Sequence, residues 1–80
     1  MMLSLEQAIR KRILNLAKER HITINKVSML SGMPHTTLLL FMNGETHDPR
    51  ISTLLHVCEA FDISLKEFFT DKLFSDVKSE

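Results

Sequence analysis

The 80-residue chain has one cysteine, Cys58, two glycines, two prolines and no formal net charge. A single cysteine excludes an internal disulfide and fits a reducing compartment. No stretch approaches the roughly twenty consecutive apolar residues that a membrane-spanning helix needs. The opening Met1-Met2-Leu3-Ser4-Leu5-Glu6-Gln7 has no signal-peptide core, so the expected location is the cytoplasm. Alternating β-branched runs, internal repeats and low-complexity segments are missing, which points to an all-α fold. Glycine-rich phosphate loops, a nucleophile elbow and paired carboxylates are missing too, and so short a chain leaves little room for a catalytic cleft. An enzyme is not expected. Of His21, His35, His47 and His56, no two stand four apart on one helix, and His56 and Cys58 diverge, so neither metal nor cofactor is expected. Cys58 reads as an inert small hydrophobe.

The zero net charge conceals a division. Up to Lys26 there are six basic residues against two acidic ones, and from Val27 onward four against eight. A basic head can meet phosphates even in a neutral chain. From Val27 through Gly44 there is no Lys, Arg, Asp or Glu at all.

The length suits one domain, residues 1–80, with a core over about 5–69 and a tail, 70–80, whose structure is left open. Ser4-Leu5-Glu6-Gln7 matches a capping box, and Leu5, Ile9, Ile13, Leu16 and Ala17 recur at helical spacing to about Arg20. Thr23 can cap a second helix in which Val27, Leu30 and Ile24 face inward, with Gly32 suited to the left-handed position ending it. Pro34 blocks continuation and permits a third helix over about His35–Met42, stopped by Asn43-Gly44. After a polar loop over 45–50, Ser52 is the expected cap of a fourth helix, with Leu54, Leu55, Cys58 and Phe61 inward. Ser64-Leu65-Lys66-Glu67, a second capping box, opens a fifth with Leu65, Phe68 and Phe69. Beyond Thr70, Leu73, Phe74 and Val77 either extend that helix, dock, or pair with another chain.

Helix 2, a tight turn with Gly32 and helix 3 form a helix-turn-helix. The run ITINKVSMLSGMPHTTLLLFMNGETHDPRISTLLHVCEAFDISLKEFF resembles the lambda-repressor-like, Cro-type helix-turn-helix family of phage and bacterial transcriptional regulators, over about Ile9 to Phe69. Its landmarks are Thr23, Gly32, Thr37-Leu38 with Phe41, Asn43-Gly44, Pro49, Thr53-Leu54, and Ile63-Ser64-Leu65 with Phe68-Phe69. The resemblance implies a compact five-helix DNA-binding domain that binds operators as a two-fold dimer, with helix 3 in the major groove. Three departures stand out. Ile24 replaces a phosphate-bracing Gln, Glu45 replaces a loop Lys, and Ala17 and Met42 replace a buried Arg–Glu pair. Exchanging both members of such a pair for apolar groups strands no charge, so Ala17 and Met42 are expected to lie close together.

At about 100° per residue, Leu38, Phe41 and Met42 share one side of helix 3, and Thr36, Leu39, Leu40 and Asn43 share the other. Three readings of Leu39 and Leu40 stay open: contacts to thymine methyls, an anchor for a protein partner, or exposed leucines without a role. The leading expectation is a sequence-specific double-stranded DNA-binding regulator, a repressor acting as a homodimer on a palindromic operator. His35, Thr36, Leu39 and Leu40 would face bases. Thr23, Lys26, Asn43, Gly44 and Arg50 would meet phosphates or the minor groove, helped by the basic residues of helix 1. Phe69, Leu73, Phe74 and Val77 would form the dimer contact. The alternative is a protein-interaction module of the same fold with weak or lost DNA binding.

Overall fold

In the computed structural model the described residues are 3–75 and 77. Five helices follow one another: α1 (Leu5–Glu19), α2 (Ile24–Ser31), α3 (His35–Met42), α4 (Ile51–Phe61) and α5 (Leu65–Phe69), with a final 3₁₀ turn at Lys72–Phe74. No strand occurs among the described residues, and the fold is all-α. Nor, among them, is any helix long and apolar enough to cross a membrane.

Local chemistry places the helix ends. The Ser4 hydroxyl accepts from the Gln7 N–H at 3.2 Å while the Gln7 side chain accepts from the Ser4 N–H at 3.0 Å. Ser64 and Glu67 form the same reciprocal box at 3.0 and 3.3 Å, and Thr23 accepts from the Lys26 N–H at 3.1 Å. Each bond satisfies a donor that the first helical turn leaves without a partner. Gly32, at φ 73°, ends α2 in the left-handed region that a side chain disfavours. The fourth helix departs from expectation. It starts at Ile51 with Arg50 as its cap and no side-chain cap bond, so Ser52 lies inside the helix rather than before it.

The core is a cluster from Ile9, Ile13, Leu16 and Ala17 of α1, Val27 of α2, Leu38 and Phe41 of α3, Leu54, Val57, Cys58 and Phe61 of α4, and Phe68 of α5. Three expected inward residues turn out exposed: Leu5, Leu30 and Leu55. Leu5 is the first residue of α1, before the chain has entered the core. On α4 the inner stripe is Leu54, Val57, Cys58 and Phe61, spacing that puts Leu55 outside. On α2 the inward set is Ile24, Val27, Ser28 and Ser31, while Leu30 is 51% and Met29 72% exposed. Small serines let this face pack closely, and α2 packs more extensively on α4 than on any other element. Ser31 Oγ donates to the Ser28 carbonyl at 2.7 Å, whereas Ser28 Oγ is buried with no partner among the described residues.

Two arginines tie α1 to its neighbours. Two positions on a helix are about 200° apart, so Arg10 and Arg12 leave opposite flanks. Arg12 donates to the carbonyls of Phe68 at 2.8 Å and Glu67 at 2.9 Å and pairs with Asp71 at 3.2 Å, occupying acceptors at the end of α5. The tail docks: Phe74 packs on Phe69 and Phe68, with ring centroids 4.9 and 6.1 Å apart. Ala17 is buried and Met42 half-buried against the same core cluster.

Candidate nucleic-acid interface

The helix-turn-helix is built as the sequence suggested: α2, the turn from Gly32 to Pro34, then α3. Leu38 and Phe41 anchor α3 in the core and Met42 is half-buried, which fixes the face turned away from the protein. That outward face presents Thr36, Thr37, Leu40 and Asn43. The adjacent leucines are not equivalent: Leu40 is 41% exposed and Leu39 half-buried, so the expected exposed pair reduces to one leucine. His35 opens α3, but its side chain lies outside the described residues.

Helix starts separate into two kinds. Those of α1, α2 and α5 carry side-chain caps, and those of α3 and α4, capped by Pro34 and Arg50, carry none. Neither uncapped helix has an acidic residue in its first turn. Both starts line one shallow cleft, with Pro34 and Thr37 on one side and Arg50, Ser52, Thr53 and His56 on the other. Free backbone N–H groups, the positive helix end and a guanidinium are what phosphate oxygens accept. Ser52, Thr53 and His56 were missed in the sequence because Ser52 passed for a cap; the polar spacing along the start of α4 is the signal that marks them.

The remaining candidates sit at the ends of α2 and α3 and in the loop after α3. Thr23 caps α2 and Lys26 lies in its first turn, both exposed, and the Thr23 oxygen is engaged in capping, leaving its O–H to donate. Asn43 ends α3 and is exposed; Gly44, at φ 86°, makes the left-handed turn after it. Glu45 and Asp48 are exposed in the same loop as Arg50 and oppose an anionic ligand. Of the helix-1 cations, Arg10 and Arg12 are engaged inside the molecule. Arg10 donates to the Phe41 carbonyl at 2.7 Å and pairs with Glu6 at 2.8 Å, and His47 Nδ1 lies 3.1 Å from the same Glu6 oxygen. The His47 hydrogen bond, aided by Arg10 and opposed by desolvation, holds the Glu6 carboxyl below the usual glutamate range.

Away from this face, burial pushes the Cys58 thiol up, which favours the unreactive form. Among the described residues no three His, Cys, Asp or Glu side chains gather as a metal site. Of the dimer candidates Phe69 is exposed, Leu73, Phe74 and Val77 are half-buried, and Phe74 is engaged in its own chain.

A helix-turn-helix whose second helix turns a small polar and apolar face outward, beside two uncapped helix starts, defines a nucleic-acid-binding class. Residues 12–72 match the family model of the Cro/C1-type HTH DNA-binding domain, and the chain belongs to that family of DNA-binding proteins. The crystal structure of the prophage Lp1 protein 11 is similar, with a TM-score of 0.80 and 26% identity over 95% of this chain and 100% of that one. No curated protein sequence matches.

Proposed function

We propose that the protein is a sequence-specific regulator of transcription that binds double-stranded DNA as a homodimer on a palindromic operator and represses by occupancy. The cytoplasm is its place of action, and residues 1–80 work as one unit. The observation that carries the reading is the outward face of α3 beside the cleft that joins the uncapped starts of α3 and α4. In the major groove His35 and Thr36 hydrogen-bond base edges, while Leu40, supported by half-buried Leu39, meets a thymine methyl. Thr23, Lys26, Asn43, Gly44 and Arg50 hold phosphates or border the minor groove. Pairing runs through the tail, with exposed Phe69 as its most accessible member and Leu73, Phe74 and Val77 behind it.

Leu40 also favours a second reading, a protein-interaction module in which it anchors a partner, because no charge lies between Val27 and Gly44 to attract DNA. Replacing Leu40 with Ser separates the two and spares the packing of Leu39. Weaker duplex binding in fluorescence anisotropy, with altered preference at one base pair, supports readout; unchanged DNA affinity sinks it at this residue.

A further inference from the structure

We propose that Arg10 is a positioning residue for DNA binding: it sets the end of the reading helix and the loop after it against α1. The inference rests on the DNA-binding reading above and goes beyond it, because Arg10 lies on α1, outside the helix-turn-helix. Its guanidinium joins three parts of the chain. Nε donates to the Phe41 carbonyl at 2.7 Å, and Nη2 donates to Glu6 at 2.8 Å and to the Thr46 carbonyl at 3.3 Å. The guanidinium carbon also stands 4.8 Å from the centre of the Phe41 ring.

The carbonyls involved belong to the last turn of α3 and the chain leaving it. Phe41 O also accepts from the Gly44 N–H at 3.1 Å, and Leu40 O accepts from the N–H groups of Glu45 and Thr46 at 2.9 and 3.2 Å. Arg10 therefore closes a compact turn in which Asn43 and Gly44 are held and from which the loop runs to Arg50. A cation at a helix C-terminus is favoured by the exposed carbonyl charge there. Glu6, four residues earlier on α1, keeps the guanidinium aimed, and His47 joins the same carboxylate from the loop side. Glu45 and Asp48 are the further charged groups of this loop before Arg50. A planar fork serves several acceptors at once; a lysine ammonium on the same helix does not reproduce that geometry.

The test compares wild type with Arg10→Met, Arg10→Lys and Glu6→Gln, using the duplex recovered from a random pool by wild type and working where all four are folded. Both Arg10 variants should bind about tenfold more weakly, the size expected when a loop must be ordered on binding. The salt dependence should stay at the wild-type slope, since Arg10 touches no phosphate. Hydrogen exchange should rise at the Glu45 and Thr46 amides while the α4 amides stay protected, and Glu6→Gln should shift both readouts in the same direction by less. Wild-type affinity in Arg10→Lys, a shallower salt slope in Arg10→Met, or exchange raised evenly along the chain would each overturn the proposal. If wild type recovers no duplex, the DNA-binding reading and this role in it fail together. The exchange pattern then still decides whether Arg10 holds the loop.

Discussion

Salt dependence offers a quantitative check on which cations meet DNA. Helix 1 contributes four of the ten basic residues of the chain, but Arg10 and Arg12 are engaged with carbonyls and carboxylates of their own molecule. The exposed cations at helix starts are Lys26, in the first turn of α2, and Arg50, before the first turn of α4, and these are the two proposed to meet phosphates. Each phosphate neutralised adds about 0.9 to the slope of log affinity against log salt. Two contacts thus give a slope near −1.8 per protomer and about −3.6 for a two-fold dimer. Between 50 and 200 mM salt a dimer should lose roughly 150-fold in affinity, and a protomer binding alone roughly 12-fold. Fluorescence anisotropy on a fixed duplex measures this directly. Arg50→Gln should remove about 0.9 of slope per protomer, and Lys11→Gln should change nothing. A slope steeper than about −6, or one that responds to Lys11, would refute the assignment and place helix 1 on the phosphates.

Other consequences are local. Ser28→Ala removes a buried hydroxyl that has no partner among the described residues and should stabilise by about 1 kcal/mol, raising Tm by roughly 4–8 °C in calorimetry; a lower Tm would mean that the hydroxyl is satisfied in solution. Phe74→Ala should destabilise by about 2 kcal/mol, below the range for a fully buried phenylalanine. Phe74→Asp therefore makes a poor probe of pairing, and Phe69→Asp, with sedimentation as the readout, is the better one: unchanged mass would discard the tail interface. Because folding lowers the Glu6 pKa, its stabilising contribution is present above the unfolded value of about 4.3 and is lost as pH falls through the folded value. The Tm gap between wild type and Glu6→Gln should accordingly close on acidification from pH 6; a gap that widens would contradict the sign.

Features governed by residues three or four apart were legible in the sequence. Ser4 with Gln7, Ser64 with Glu67, Thr23 and Gly32 behave as their spacing implied, because a cap or a left-handed turn is decided within one turn of helix. What failed depends on neighbours far along the chain. Leu30 pointed inward on hydrophobicity alone, yet α2 buries Ser28 and Ser31, residues that look like surface in a one-dimensional reading. Leu55 failed similarly: Val57 completes the stripe that faces the core. Arg10 and Arg12 read as a basic patch because nothing local reveals that the ends of α3 and α5 lie within their reach, 31 and 56 residues away. Leu39 and Leu40 looked alike in sequence and differ in burial, because Leu39 shares its flank of α3 with half-buried Met42, three residues on, whereas Leu40 lies on the flank of exposed Thr36 and Asn43.

The central claim is that the outward face of α3 reads sequence. Selection from randomised DNA duplexes at low and near-physiological salt, followed by sequencing, tests it most directly. Enrichment of one motif with two-fold symmetry is expected at both salts. Recovery at low salt alone, with no motif, would leave only phosphate attraction and contradict sequence readout by this helix.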